Sequence, residues 1–390
     1  MNGTIYMPVG EVCSSISDTY REKKNMVTLI NTSDVLEGRV LNHERVPNSN
    51  LKGQFKKTFQ RDDILYSEIR PQNRRFAYVD FSPIDYIAST KLMVIRAKKD
   101  VVSPKYLYYF LKNSFTVAEL QLLAETRSGT FPQITFSEVA NLTIPVPSLA
   151  VQEVIVQTMQ CLEDKITCNE QINDNLYEMV NAYYTSLFKD VECEMTTIGN
   201  YAERIYSGGT PTTSNVAYWD GTFGWLSSGE TRNRFVISTE KSITQTGIDN
   251  SSTKLASKHD IVMASAGQGF TRGQTSMLLI DTYVNQSVIV IHADRNILPY
   301  LFWNLANRYE ELRAISDSSS IRGSLTTKMI AAFEIPLANN DVIQTFSDFA
   351  WAVIPQIENN LLENERLAAL RDSLLPKFMS GEIDVSDVQL

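Results

Sequence analysis

The two halves of the sequence resemble each other, and this internal repeat constrains the fold more than any other feature. Segments of the first half recur in the same order in the second half, at an offset of about 189 to 197 residues. A small drift in the offset is expected when insertions fall in loops between retained elements. The matched segments are 9–12 with 198–201, 29–34 with 225–230, 63–67 with 260–264, 91–95 with 287–291, 104–107 with 299–301, and 144–145 with 335–336. We therefore predict two similar halves, each a globular domain followed by a long helix.

Each globular half mixes strand patterns with helix patterns. Runs rich in β-branched residues predict strands at 26–30, 91–95 and 284–291. Helices entered at a proline are predicted at 104–111 and 299–305. The fold class is therefore α+β, with two mixed α/β domains in tandem. The predicted segments are 1–149 for the first domain, 150–190 for the first long helix, 191–340 for the second domain, 341–380 for the second long helix and 381–390 for a tail.

Both long helices carry a seam of residues spaced alternately three and four apart, as in a coiled coil. In the first helix the seam is Met159, Leu162, Ile166, Asn169, Asn173, Leu176, Val180, Tyr183 and Leu187. In the second it is Phe346, Phe349, Val353, Ile357, Asn360, Asn364, Leu367, Arg371, Leu374 and Phe378. Since each seam can supply the partner that the other needs, we predict that the helices pair as an antiparallel coiled coil with pseudo-twofold symmetry. The central pairing residues are predicted to be Asn169, Asn173, Asn360, Asn364, Ile166, Leu176, Ile357 and Leu367.

The seam asparagines are expected to fix the register and the partner of each helix. At an offset of 191, Asn169 corresponds to Asn360 and Asn173 to Asn364. An asparagine on a seam lowers stability, and its best-attested use is to fix register and partner. The alternative is two independent surface helices with incidental asparagines. Helices of roughly 30 to 35 residues would span about 45 to 50 Å and hold the two domains apart, and Pro355 is expected to kink the second helix or to start a new one there.

Length and composition set the broad class of the chain. Its 390 residues, 43% of them hydrophobic, suffice for two or three domains with cores of their own. The apolar runs are too short for a membrane helix and the start does not resemble a secretory signal, so we expect a cytoplasmic protein. The four cysteines form no CxxC pair and are expected to be reduced thiols, with neither a zinc site nor disulfides.

The net charge of −9 is unevenly distributed. The segments 150–195 and 341–390 together hold 18 acidic residues and five basic ones, whereas the rest of the chain holds 27 acidic and 31 basic residues. The acidic excess therefore lies in the helical segments, and most of the basic excess lies in residues 1–149. The globular domains remain able to meet a phosphate backbone, although this modest excess alone would not indicate DNA.

The patterns that carry catalysis or cofactor binding are missing. The sequence has no GxxxxGK[ST] loop for ATP, and its three histidines lie far apart without an HExxH pattern. Residues 265–269 resemble a glycine-rich cofactor loop but lack the third glycine and the following acid of a dinucleotide site. Asp62, Asp63 and Glu68 could suggest a nuclease, yet a solvated strand edge is the favoured interpretation. We predict no catalytic residue, no metal site and no cofactor bound by this chain.

Basic side chains in predicted loops are candidates for DNA contact. Arginine and lysine hold phosphates, arginine also bonds guanine, and glutamine suits adenine. Each candidate alone is more commonly a solvated surface residue; the set is more persuasive than its members. In the first domain the candidates are Lys56, Lys57, Arg61, Arg70, Arg74, Arg75 and Arg127, close in sequence to Phe55, Phe59, Tyr66 and Phe76. In the second domain they are Arg232, Arg234, Gln268, Arg272, Arg322 and Lys328.

Three segments resemble one known family. Residues 207–212, followed by 218–221 and 225–230, are similar to the opening of a target recognition domain in specificity subunits of type I restriction-modification systems. Residues 141–147 resemble the family's passage from a recognition domain into its helix, and 374–383 resemble its closing segment. The resemblance covers the whole chain and adds Gly208, Gly209 and Thr210 to the predicted DNA-binding set. Residues 12–24 contain no counterpart of the Gly-Gly-Thr-Pro motif, so the first domain departs from the pattern.

The resemblance implies a subunit that recognises a bipartite, asymmetric DNA target. Its expected partners are double-stranded DNA, two methyltransferase subunits and, in the full complex, two restriction subunits. Adenine methylation with S-adenosylmethionine, and translocation and cutting with ATP and Mg²⁺, would belong to those partners. Two alternatives stay open, namely a self-sufficient nuclease or adenine methyltransferase, and a coiled-coil scaffold that does not bind DNA.

Overall fold

A computed structural model describes residues 4–22, 24–49, 53–127, 130–267, 270–318 and 323–385. The chain divides into two compact units. The first unit contains Met1–Ile166 and Arg366–Leu390, and the second contains Thr167–Glu365.

The first half of the chain contains short strands and helices followed by one long helix. Its strands are β1 (Ile5–Pro8), β2 (Cys13–Ile16), β3 (Met26–Ile30), β4 (Val35–Leu36), β5 (Arg39–Val40), β6 (Val46–Pro47), β7 (Phe55–Lys57), β8 (Ile64–Ser67), β9 (Phe76–Tyr78), β10 (Tyr86–Ser89), β11 (Leu92–Ala97) and β12 (Thr143–Val146). Its helices are α1 (Val9–Val12), α2 (Pro104–Lys112), α3 (Ser114–Arg127), α4 (Phe136–Asn141) and α5 (Leu149–Phe188).

The second half repeats this plan. Its strands are β13 (Glu194–Thr197), β14 (Ala202–Ser207), β15 (Trp219–Leu226), β16 (Phe235–Val236), β17 (Lys241–Ile243), β18 (Lys254–Ala256), β19 (Ile261–Ala264), β20 (Thr275–Leu278), β21 (Thr282–Val284), β22 (Val288–Ala293) and β23 (Glu334–Leu337). Its helices are α6 (Gln245–Asp249), α7 (Leu298–Asn307), α8 (Tyr309–Ser318), α9 (Thr327–Ala331) and α10 (Asn340–Ser380).

Strand order confirms the repeat predicted from the sequence. One four-stranded sheet of the first unit has the order β2-β11-β8-β9, and a five-stranded sheet of the second unit has the order β14-β22-β19-β20 with β16 added at the edge. Each unit also pairs its opening strand with the strand before its long helix, β1 with β12 and β13 with β23, both antiparallel. A parallel pair recurs as well, since β10 lies beside β3 and β21 beside β15. The predicted α+β class is thus correct for both units.

Most predicted elements match observed ones, but the prediction of a single strand at 284–291 was wrong. The strand predicted at 284–291 is two strands, β21 and β22, separated by a turn. Asn285 makes this turn, because its Oδ1 accepts a hydrogen bond from the Ser287 backbone N–H at 2.9 Å. An asparagine side chain that bonds to the backbone two residues further on competes with strand pairing.

The core of each unit lies between its sheet, its short helices and parts of both long helices. In the first unit Ile155 and Met159 of α5 and Phe378 of α10 belong to the same buried cluster as strands β8 and β11. In the second unit Val180 of α5 and Phe346 of α10 pack with helix α7. The long helices are therefore shared between the units because their apolar faces complete both cores.

Within the second unit the two long helices run antiparallel, as predicted. Asn169 lies opposite Asn364, whereas Tyr183, further along α5, lies opposite Phe349, earlier in α10, with ring centroids 4.6 Å apart. Helix α10 continues through Pro355, so the expectation of a new helix starting there was wrong. Buried neighbours on both sides, Ile354 and Ile357, hold the helix across the missing backbone donor. In the described part of the chain, no helix combines the length and apolarity that crossing a bilayer requires.

Candidate helix-pairing site and nucleic-acid interface

The four seam asparagines come together in the second unit. Asn169 Nδ2 donates to Asn364 Oδ1 at 2.9 Å, and Asn360 Nδ2 donates to Asn173 Oδ1 at 2.8 Å. Adding 191 to Asn169 gives Asn360, and adding it to Asn173 gives Asn364. The two hydrogen bonds are therefore copies of each other, with donor corresponding to donor and acceptor to acceptor.

Further hydrogen bonds complete the polar layer. Asn169 Nδ2 also donates to Glu363 Oε2 at 2.7 Å, and Asn173 Nδ2 donates to the Ile357 carbonyl at 3.3 Å. Asn169 is fully buried and Asn360 nearly so. Sliding one helix by a turn would leave buried amides without partners, at a cost of about 1 to 3 kcal/mol each. The layer therefore selects one register of the pair.

The remaining predicted pairing residues occupy two places. Ile357 is buried in the second unit, where Leu176 packs against the same cluster. Ile166 and Leu367 belong to the first unit and are half-buried there.

Four of the seven basic candidates of the first unit hold its own loops together. Lys57 Nζ donates to the carbonyl oxygens of Thr90 and Leu92 at 3.1 and 2.8 Å, and burial lowers the pKa of its ammonium group. The other three bonds are Arg74 Nη2 to Ser114 Oγ at 3.1 Å, Arg75 Nη1 to the Ser33 carbonyl at 3.0 Å, and Arg127 Nη1 to Glu138 Oε1 at 2.7 Å. These groups already have protein partners.

Three candidates of the first unit present free charge to solvent. The side chains of Lys56, Arg61 and Arg70 are exposed, and none forms an ion pair with the residues that the structure describes. The aromatic residues near them in sequence are less available. Phe59, Tyr66 and Phe76 are buried in the core and cannot stack on a base, and Phe55 is half-buried.

In the second unit, Arg272 has a structural role that conflicts with the predicted DNA contact. Only 9% of the residue is exposed; its guanidinium pairs with Asp317 and donates to the Gly323 carbonyl at 2.7 Å. Arg234 lies over the Tyr177 ring at 4.2 Å and pairs with Asp174 at 3.0 Å. To turn outward, the buried Arg272 guanidinium would have to break both of its bonds.

The other candidates of the second unit differ in availability. Arg232 is exposed but pairs with Glu240 at 2.7 Å, and Lys328 on α9 is exposed. Gln268 and Arg322 lie outside the described residues.

The Gly-Gly-Thr motif packs against the protein itself. A Cβ on Gly208 would lie 1.9 Å from the Val284 carbonyl oxygen, and one on Gly209 would lie 2.0 Å from Ser252 Oγ. Gly209 N–H donates to the same Val284 carbonyl at 3.1 Å, and Thr210 Oγ1 bonds to Gln286. Only glycine allows this backbone approach. The motif fastens the end of β14 to β21, a role that sequence pattern alone did not reveal.

The suspected carboxylate cluster is also structural. Asp63, expected at a solvated strand edge, is fully buried and accepts two 2.7 Å hydrogen bonds from Arg96. Its repeat counterpart Asp260 is equally buried and contacts His292 Nδ1 at 2.5 Å. The signal for this role was present in the sequence, because both aspartates occupy the same place in the repeat. Among the described residues, no group of three or more histidine, cysteine or acidic side chains could hold a metal ion.

Known proteins resemble this chain in both of its halves. The family model described as type I restriction modification DNA specificity domain matches the chain twice, over residues 6–178 and 191–363. The type I restriction enzyme HindI specificity subunit of Haemophilus influenzae is 26% identical and aligns over 92% of this chain and 94% of its own length. The EcoR124I/EcoR124II specificity subunit of Escherichia coli is also 26% identical, over 71% of this chain and 68% of its own. The crystal structure of a type I restriction-modification S subunit from M. genitalium shares the fold, with a TM-score of 0.56, 14% identity, and coverage of 97% of this chain and 96% of that one.

Proposed function

Because the chain belongs to the type I restriction-modification DNA specificity family, we propose that it reads a two-part DNA sequence on behalf of catalytic partner subunits. The observation that carries the proposal is the duplication. Each half matches the DNA specificity domain separately, and both units have the same strand order. Two copies of a DNA-reading domain in one chain can recognise two separate half-sites.

The two half-sites should differ in sequence. In the described parts of the chain, equivalent places of the repeat carry different side chains: exposed Arg61 corresponds to Lys258, which pairs with Glu358, and exposed Arg70 corresponds to Gly267. Different side chains on one scaffold recognise different bases. The proposed target is therefore bipartite and asymmetric.

The chemistry is proposed to reside in partner proteins. We expect two methyltransferase subunits that use S-adenosylmethionine and two restriction subunits that use ATP and Mg²⁺. The subunit itself would be non-catalytic, scaffolding its partners while it holds the DNA. The named relatives, which are specificity subunits of type I restriction enzymes, support this division of labour.

Mapping methylated adenines across the genome, in cells with and without this chain, tests the proposal. The expected result is a two-part motif with unequal halves that disappears when the gene is deleted and returns on complementation. A motif that survives the deletion, or a motif without a spacer, would overturn it.

A biochemical test addresses the absence of catalysis. The purified chain, incubated with DNA and either Mg²⁺ or S-adenosylmethionine, is expected to leave the DNA uncut and unmethylated. Turnover by the chain alone would favour the self-sufficient enzyme instead.

A further inference from the structure

We propose that both units read bases with the same hairpin, the connection from β8 to β9 in the first unit and from β19 to β20 in the second, and that Arg70 and Phe270 are the reading side chains. This inference rests on the proposed function and adds to it the residues that discriminate bases.

The two connections are equivalent in structure as well as in sequence order. In the first unit the Ile134 backbone N–H donates to the Glu68 carbonyl at 2.9 Å, just after β8. In the second unit the Leu325 N–H donates to the Ser265 carbonyl at 2.8 Å, just after β19. A second segment thus braces the base of each hairpin at the same point.

Each hairpin is also fastened to the helix pair beside the sheet. In the first unit the Gln72 N–H donates to Gln121 Oε1 of α3 at 3.2 Å. In the second unit Tyr309 Oη of α8 donates to the Phe270 carbonyl at 2.7 Å. A hydrogen bond to the neighbouring helix therefore holds the backbone of the first loop at Gln72 and that of the second at Phe270.

The backbone of the first hairpin holds Arg70 outward. Arg70 has a φ of 44°, a left-handed conformation that residues other than glycine adopt rarely. Its N–H donates to the Pro132 carbonyl at 3.1 Å, and its own carbonyl accepts from Asn73 N–H at 2.9 Å. The surroundings impose this conformation while leaving the guanidinium exposed. Strained backbone of this kind concentrates at binding sites.

In the second hairpin the exposed side chain lies three residues beyond the counterpart of Arg70, at Phe270. It is 83% exposed, the largest fraction for any large apolar side chain in the described residues. Its backbone carbonyl is held by the Tyr309 hydroxyl, while its ring is exposed. An aromatic ring this exposed, on a backbone with a hydrogen-bond anchor, points to contact with another molecule.

The two side chains match different base features. An arginine bonds O6 and N7 of guanine in the major groove, and a phenylalanine contacts the C5 methyl group of thymine. One hairpin carrying arginine in one unit and phenylalanine in the other would give two half-sites with different requirements. Arg272, three residues before β20 begins, serves as an internal anchor instead.

The experiment uses the full chain and duplexes that carry the two-part motif mapped for the wild type. Each specified thymine is replaced in turn by uracil, which lacks the methyl group, and each specified guanine by 7-deazaguanine, which lacks N7. At one thymine of one half-site, uracil should weaken wild-type binding about fourfold, as expected for one buried methyl group. Binding by F270A should be weak with thymine and unchanged by uracil at that position.

Arg70 is tested in the same way at the other half-site. One 7-deazaguanine should weaken wild-type binding roughly tenfold and leave R70A binding unchanged. R70K is expected to keep phosphate attraction but to lose the discrimination, since lysine lacks the two-donor fork. Phe115, 74% exposed on α3, supplies the matched control, and F115A should respond to both analogues like the wild type.

The outcomes separate this inference from the proposed function. If F270A and R70A remain as sensitive to the analogues as the wild type, the hairpins are not the readers, although the mapped motif still stands. If the wild type yields no two-part motif, the proposed function itself fails. Melting temperatures equal to that of the wild type are expected for both variants, because the exchanged side chains are exposed.

Discussion

At the scale of single residues, equivalent positions of the repeat keep their geometry but change their partner. Asp63 Oδ2 accepts from the Gln60 N–H at 2.8 Å, and Asp260 Oδ2 accepts from the Ser257 N–H at 2.9 Å. The same turn therefore closes the entry to β8 and to β19. Across the sheet, however, Asp63 meets Arg96 and Asp260 meets His292.

Breaking the pair of Asp63 should destabilise the first unit. In D63N, Arg96 loses a charged bidentate partner at a fully buried position, which should lower the local free energy of opening by about 2 kcal/mol. Hydrogen exchange of the β8 and β11 amides measures this change. The neighbouring D62N loses the ion pair with the exposed Lys99, while its amide oxygen can still accept from the Tyr78 hydroxyl, so it should cost under about 1 kcal/mol. Equal effects of the two variants would contradict the argument.

Cysteine reactivity provides a second test at this scale. Cys13 is buried, its Sγ donates to the Val9 carbonyl at 3.2 Å, and burial raises its pKa to about 12. Because the thiolate is the reactive form, raising the pKa leaves almost none of it at pH 8. Iodoacetamide at pH 8 should modify the exposed Cys161 and Cys168 and spare Cys13, as read by peptide mass spectrometry. Comparable labelling of Cys13 in the folded protein would show that its site is open.

The candidate site was only partly predictable at this scale. Sequence pattern identifies basic residues in loops, but it does not show which of them have partners inside the protein. Lys56 and Lys57 are adjacent, yet Lys57 is bonded to two carbonyl groups and Lys56 is exposed. The difference arises from strand alternation and from the position of Thr90 in the turn between β10 and β11, which no local pattern shows.

At the scale of elements, helices were easier to predict than short strands. Proline at the first turn identified α2 and α7, and the three-four spacing identified both long helices. The strand pair β21 and β22 was missed because its turn consists of only three residues inside an apolar run. Pairing between distant strands depends on contacts that local sequence does not encode.

The asparagine layer should behave as two coupled pairs. Replacing Asn169 and Asn364 by alanine, singly and together, should reveal a coupling energy of about 1 kcal/mol in unfolding experiments. The same cycle for Asn173 and Asn360 should give a similar coupling energy, since those residues form the repeat-related bond. Strictly additive effects in both cycles would show that the hydrogen bonds contribute nothing to the pairing.

At the scale of the whole molecule, the charge distribution matters more than its sum. The net charge is −9, yet Lys56, Arg61 and Lys328 offer exposed positive charge on the globular parts. Binding to a phosphate backbone releases counterions in proportion to the contacts made, whatever the total charge of the protein.

DNA binding by the full chain should therefore fall steeply with salt. With about six phosphate contacts, affinity should drop roughly a thousandfold between 50 and 200 mM salt, measured by gel shift. Exchanging Lys56 and Arg61 for glutamine should make the slope shallower by about two, whereas exchanging Arg127, which pairs with Glu138, should leave it unchanged. A slope near zero for the wild type would contradict phosphate contact altogether.

The composition of the first unit has a consequence for biosynthesis. Leu375, Phe378 and Met379 are buried in the same cluster as strands that the ribosome makes more than two hundred residues earlier. The first unit therefore cannot complete its core until Met379 has been synthesised, whereas the second, a single segment that ends at Glu365, can finish sooner. A premature stop codon shortly before Leu375 would consequently damage the half encoded first.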